Sequence, residues 1–146
     1  GGLRGATTCA NLIKPDIAIA IDTSIAGETP KIAEGEASAK IGEGPVLIVM
    51  DATTLGTSSL RNEIIEIAKK HNIKVQTDFT PGGGTDAGRM HIAHDGAPVI
   101  SMAISTRYIH SHGSIIHEDD YKTCVDLIVN FINELNSDMY ERILKG

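Results

Sequence analysis

Tryptophan is missing from this chain of 146 residues, and only two Phe and three Tyr are present. Stacking platforms for single-stranded nucleic acid are built from such side chains, and so are most sugar-binding surfaces. A glycosidase would also need a working pair of carboxylates, and the composition argues against one. Positive charge is short as well: Lys plus Arg number 13 against 19 Asp plus Glu, a net charge of −6. That sign excludes nucleic acid or an anionic membrane as a main partner. No segment reaches the length needed to span a bilayer, and no charged-then-apolar leader pattern is seen, so a cytoplasmic address is expected. Of the two cysteines, Cys9 and Cys124, neither has metal-ligand spacing to the other. Both are expected to be reduced and buried.

What is present fits one domain with a real core. Four apolar runs read as strands: residues 16–22, 45–51, 74–79 and 97–104. The first, second and fourth are nearly continuous, as in strands covered on both faces. Residues 58–72 place Leu60, Ile64, Ile67 and Ala68 on one helical face behind a Ser58 or Ser59 cap. Residues 117–136 form a second helical pattern with the stripe Tyr121, Cys124, Val125, Ile128, Ile132 and Leu135. Glu118, Asp119 and Asp120 fall in its first turn, where the helix dipole favours acids. Strands interleaved with helices predict an α/β fold, a mostly parallel or mixed sheet sandwiched between helices. Residues 27–44 are polar and Gly-rich and read as a surface excursion. The opening "GGLRGATTCANLI" is helix-like with no strand or cap before it, as if the chain starts mid-domain.

Chemistry is concentrated in "TRYIHSHGSIIHEDD", which puts His110, His112 and His117 within eight positions after an apolar run. Histidine is the commonest metal ligand, but one histidine cannot hold a catalytic metal. In open α/β sheets ligands gather beyond the carboxyl ends of the strands. Asp22, Asp51 and Asp78 sit at or near such ends, and the fourth run delivers Arg107 and the histidines. They are candidates for a divalent-metal site, or for capping the loops that follow. A second candidate is "PGGGTDAG", residues 81–88. Its glycines permit close backbone approach, Thr85 or Asp86 could cap a helix over residues 86–96, and its N–H groups could face an oxyanion. A tight turn is the plain alternative. His91 and His94 share a face of that helix, more in keeping with solvent than with ligation.

The segments "GLRGATT", "AIAIDTSIAGETP", "IGEGPVLIVMD", "GGGTDAGRMHIAHDGAPV" and "TRYIHSHGSI" resemble, in order, the tetrahedral (TET) metallo-aminopeptidases. Members of that family are also labelled glutamyl or deblocking aminopeptidases, and sometimes endoglucanases. The resemblance implies the zinc-peptidase type of catalytic domain, with residues 1–146 as its carboxyl-terminal part. The implied reaction is removal of N-terminal residues from peptides by two divalent ions, Zn or Co, that share a bridging water and a bridging Asp. Self-association is implied too, since the family forms dimers and tetrahedral dodecamers.

Carried over by position, Asp22 matches the terminal ligand of one metal and His110 the histidine ligand of the other. Gly83, Gly84, Thr85, Asp86 and Arg107 match positions near the substrate pocket or behind the ligands. His112, His117, Asp51 and Asp78 match no ligand. Gly1 falls just after the place of the family's Glu pair, which supplies the general base. The expectation is therefore a chain without the base, the bridging Asp, the other His ligand or the inserted dimerisation domain. Alone it is expected to be inactive, with an incomplete metal site or none. The alternative is a non-catalytic piece that folds and self-associates.

Overall fold

The computed structural model describes residues 2–146; the expectation placed on Gly1 lies outside them. The elements run α1 (Arg4–Ile13), β1 (Ala18–Ile25), β2 (Val46–Asp51), α2 (Ser58–Lys70), β3 (Gln76–Thr80), α3 (Ala87–Met90), β4 (Val99–Thr106), α4 (Glu118–Glu134) and α5 (Ser137–Lys145). The four strands form one mixed sheet in the order β1-β4-β2-β3. β1 runs parallel to β4 and β2 parallel to β3, while β2 and β4 are antiparallel. The sequence-based α/β assignment holds, and each strand run is recovered with its ends moved by at most three residues.

The two faces of the sheet carry different side chains, and this positions everything that follows. Side chains alternate along a strand. On one face Leu47, Ile100, Met102 and Ile104 form the main core with Leu60, Ile64 and Ile67 of α2, Cys124, Leu127 and Phe131 of α4, and Met139 and Ile143 of α5. On the other face the register lines up small and polar residues. Ala18, Ala20, Asp22 and Ser24 of β1 stand beside Val99, Ser101, Ala103 and Ser105 of β4. Small side chains leave a shallow floor there, covered by α3 and by loops. Ala18, Ala20, Val99 and Ala87 make a minor apolar cluster with Met90. All eight residues of β4 are buried, because both of its faces are covered.

Several local expectations are corrected. Helix α2 begins after Thr57, and neither serine caps it: Ser59 Oγ donates to Ile143 O instead (2.6 Å) and so ties α2 to α5. The pattern over residues 117–136 ends at Glu134, and α5 was not expected. Asn136 caps it by accepting from Met139 N–H (3.0 Å), and Arg142 pairs with Glu63 of α2 through two contacts of 2.7 and 2.9 Å. The buried face of α4 is Asp120, Cys124, Leu127 and Phe131; of the expected stripe only Cys124 is buried, with Ile128 half-buried against the core. Tyr121 is 54% exposed and Ile132 is 62% exposed. Both faces of α4 carry apolar residues, so periodicity alone could not choose between them. Asp120 is buried because Gly42 and Gly44 N–H donate to its two oxygens (2.7 and 2.8 Å), which pins one end of the 27–44 excursion. Cys124 is buried as expected, but Cys9 is exposed.

Candidate active site

The antiparallel contact between β2 and β4 puts the carboxyl ends of β2 and β3 at the opposite end of the sheet from those of β1 and β4. Asp22, Asp51 and Asp78 therefore do not converge at one edge. The cleft lies over the sheet's small-residue face instead. It has a volume of about 450 Å³, and its walls include Asp22 and Ser24 of β1, Asp78 of β3, Gly83, Gly84 and Thr85 of the glycine loop, and His110.

Each wall has a local cause. Asp51 is 5% exposed and gathers the loops. Its Oδ1 accepts from Thr53 N–H, Thr53 Oγ1 and Thr54 N–H, and its Oδ2 accepts from Thr85 N–H and Oγ1 (2.9 and 2.8 Å). Burial pushes this carboxyl's pKa up, but the Thr53 and Thr85 donors outweigh it and hold the pKa below its usual value. Thr85 Oγ1 also meets Ser101 Oγ at 2.5 Å, which seats the loop on β4. The Thr85 N–H is thus spent inside the protein and does not face an oxyanion. Asp86 makes no side-chain cap, and the helix expected over residues 86–96 is a single turn, Ala87–Met90. His91 ends it, and His94 turns away with φ of 51°, its ring Nε2 against Asn11 O of α1 at 2.5 Å, so the two do not share a helix face.

Asp78 plays for the 27–44 excursion the part that Asp51 plays for the glycine loop. It accepts from Ser38 N–H and Oγ, Ala39 N–H and Phe79 N–H, at 2.8–3.2 Å. That brings Glu36 and Ala37 to the cleft as its outer wall. Arg107 braces the same excursion from just past β4, with Nη2 at 3.6 Å from Glu28 Oε1, which also accepts from Ile41 N–H (2.9 Å). Desolvation raises the Glu28 pKa, but the Ile41 N–H and Arg107 together leave it lowered. Arg107 and Asp86 are not among the residues lining the cleft.

The three histidines separate cleanly. His117 Nδ1 accepts from Asp119 N–H (3.2 Å) and caps α4. His112 is exposed and lies outside the lining of the cleft. His110 lines it, on a loop closed by the paired backbones of Arg107 and Ile115. Within that loop Tyr108 and His110 have φ of 58° and 61°, a left-handed conformation that costs a non-glycine residue energy and is found at functional positions. Asp22 is exposed on edge strand β1, its Oδ1 accepting from Thr23 N–H (2.7 Å).

A carboxylate and an imidazole in one cleft are the donor types that divalent zinc or cobalt takes. A catalytic centre, however, needs about three protein ligands. Among the described residues no group of three or more His, Cys, Asp or Glu could hold a metal ion. Asp22 and His110 are thus too few to complete a centre. Reading the sequence missed Glu36, Phe79 and Ser24 as cleft residues. The first sits in what looked like a surface excursion, and only the contacts of Asp78 with Ser38 and Ala39 bring it back.

This arrangement has close counterparts. The TET aminopeptidase from the marine-sediment archaeon Thaumarchaeota archaeon SCGC AB-539-E09 matches with a TM-score of 0.92 at 36% identity, over 97% of this chain and 40% of that one. The Pyrococcus horikoshii TET1 peptidase, which can assemble into a tetrahedron or a large octahedral shell, matches with a TM-score of 0.76 at 29% identity, over 92% of this chain and 38% of that one. The glutamyl aminopeptidase of Lactococcus lactis subsp. cremoris is 32% identical over 142 residues, 97% of this chain and 39% of the relative. The chain spans 38–39% of the length of the curated relatives it matches first. The family model for M42 glutamyl aminopeptidase matches residues 2–127, which is most of the chain, and the chain belongs to that family.

Proposed function

We propose that residues 1–146 form the carboxyl-terminal part of the catalytic domain of a cytoplasmic aminopeptidase that removes N-terminal residues from peptides with two divalent ions. The observation that carries this reading is the shared cleft. Asp22 and His110, whose positions match ligands of opposite metals in the family, line one cavity with Gly83, Gly84 and Thr85. Bound metals would polarise the scissile carbonyl and supply a nucleophilic water. The residues of this chain have other tasks. Asp51 and Thr85 fix the glycine loop, Asp78 and Arg107 fix the outer wall, and the small side chains of β1 and β4 leave room for substrate. Asp86 stands where the glycine loop passes into α3. A general base is not among the roles assigned to these residues, so catalysis is a property of the complete domain. Like the assembled TET1 relative, the chain is proposed to self-associate.

The test has two arms. The 146-residue chain with added Zn or Co should give no turnover above background on Leu-, Glu- or Lys-anilides. General-base loss alone lowers rates by about 10²–10⁴-fold. In an enzyme completed with the family's upstream region, His110→Ala should abolish activity and lower metal content, whereas His112→Ala and His117→Ala keep the metal stoichiometry. Chelator-sensitive hydrolysis by the chain alone, or equal metal loss from His112→Ala, would overturn the reading.

A further inference from the structure

His110 owes its place in the cleft to a loop whose backbone its own residues do not favour. Arg107 N–H donates to Ile115 O (2.9 Å) and Ile115 N–H to Arg107 O (3.1 Å), which closes the loop at its ends. Inside it Tyr108 and His110 both stand at positive φ, and neither is glycine. Such conformations cost energy and persist where their surroundings hold them. The loop's glycine, Gly113, does not relieve this cost: it is not at positive φ, and an added Cβ there would meet nothing within 4 Å. Between the closing pair, among the described residues, one side chain supplies the cross-link. Ser111 Oγ donates to Tyr108 O (2.5 Å) and to Gly113 O (2.6 Å), carbonyls on the two sides of His110. A hydroxyl carries one proton, so the two acceptors share it. Ser111 itself does not line the cleft.

We propose that Ser111 is a positioning residue: by bridging Tyr108 O and Gly113 O it holds the left-handed turn that keeps His110 in the cleft, and so sets how tightly His110 holds its ion. Without the bridge, Tyr108 and His110 are free to return to negative φ. A change of φ at His110 redirects its Cα–Cβ bond and carries the imidazole away from the cleft. Apparent affinity for an ion then falls with the fraction of loops still in the competent turn. The net worth of one hydrogen bond on a solvated loop sets that fraction at about one third to one tenth. The proposal rests on the assignment of His110 as a ligand in the aminopeptidase reading above, and adds the residue that shapes its turn.

The experiment has a conformational arm and a metal arm. In the 146-residue chain, chymotrypsin cleavage after Tyr108 reports opening of the loop, with cleavage after the exposed Phe79 as internal reference. Ser111→Ala should speed cleavage at Tyr108 about three- to tenfold relative to Phe79. In the enzyme completed with the family's upstream region, cobalt affinity is read by competition with a chelator at the site that His110→Ala impairs. Ser111→Ala should weaken that affinity about three- to tenfold and leave the thermal midpoint of the metal-free protein unchanged. At limiting cobalt, kcat should fall in step while KM stays the same. Ser111→Thr, which keeps the hydroxyl, should restore parent values in both arms, and Gly113→Ala, which keeps both carbonyls, should alter neither. If Ser111→Ala holds cobalt as tightly as the parent while His110→Ala does not, the positioning inference falls and the aminopeptidase reading stands. Weaker cobalt binding without faster cleavage at Tyr108 would also overturn the inference, since the hydroxyl would then act by another route. If His110→Ala leaves cobalt affinity unchanged, both fall.

Discussion

Asp51 joins the 52–54 turn to Thr85 of the glycine loop through its two oxygens. Replacing it with Asn removes the charge and turns one acceptor into a donor facing donors. Asp51→Asn should cost about 2–3 kcal/mol at neutral pH, measured by urea unfolding. The pH dependence follows from the lowered folded-state pKa. A carboxyl ionised more easily in the folded chain adds stability above its unfolded pKa of about 4 and loses it as pH falls through the folded value. The gap between parent and variant should be constant from about pH 6 to 8 and close below about pH 4. A gap that persists undiminished at pH 2 would assign the effect to shape rather than charge. The cysteines offer a second check. Burial pushes the Cys124 thiol up to about 11, so it is protonated at neutral pH, whereas Cys9 is exposed. An aromatic disulfide reagent should label one thiol rapidly in the native chain and the second only on unfolding.

At the scale of elements, the glycine loop shows that its glycines are not equivalent. A Cβ on Gly84 would lie 2.5 Å from Thr53 Cγ2, and one on Gly88 would lie 2.6 Å from Thr53 Cβ with Thr53 Oγ1 closer still. Thr53 cannot swing aside cheaply, because its hydroxyl and N–H both donate to Asp51 (2.7 Å each). Gly82, by contrast, has nothing within 4 Å of the added carbon. Gly84→Ala and Gly88→Ala should each destabilise by about 1–3 kcal/mol, with Gly82→Ala near neutral, as read by thermal melting. Equal effects at all three would mean that the loop adapts and that the packing of Thr53 does not set the motif. The spacing of the two sensitive glycines, four residues apart, thus reflects one threonine inserted between them.

For the whole molecule, the layers do not close evenly. Tyr121, Val125, Val129 and Ile132 line the outer side of α4, and Ile21 is 62% exposed on edge strand β1. An edge strand keeps unpaired backbone groups, and contiguous apolar surface of this kind favours association. Light scattering at tens of micromolar should therefore find the chain larger than a monomer. Val125→Lys with Ile132→Glu should shift it toward monomer without changing helix content. A well-behaved monomer in the parent chain would sink this prediction.

Much of this was already written in the sequence. Apolar runs located the strands, most plainly the three that are nearly continuous, and the motifs "AIAIDTSIAGETP", "GGTDAG" and "RYIHS" located the family and the candidate positions Asp22 and His110. Tertiary structure decided what pattern cannot carry. The antiparallel seam between β2 and β4, which no local signal encodes, moved the cleft from the sheet edge to its small-residue face and made Asp51 and Asp78 loop anchors. It also chose the buried side of α4, where two apolar faces compete and the larger side chains Leu127 and Phe131 fill the core. Glu36 entered the cleft only through hydrogen bonds to a carboxylate some 40 residues away in sequence. Contacts at that separation depend on how the chain is folded back on itself, and residue types and spacings along one segment do not record it.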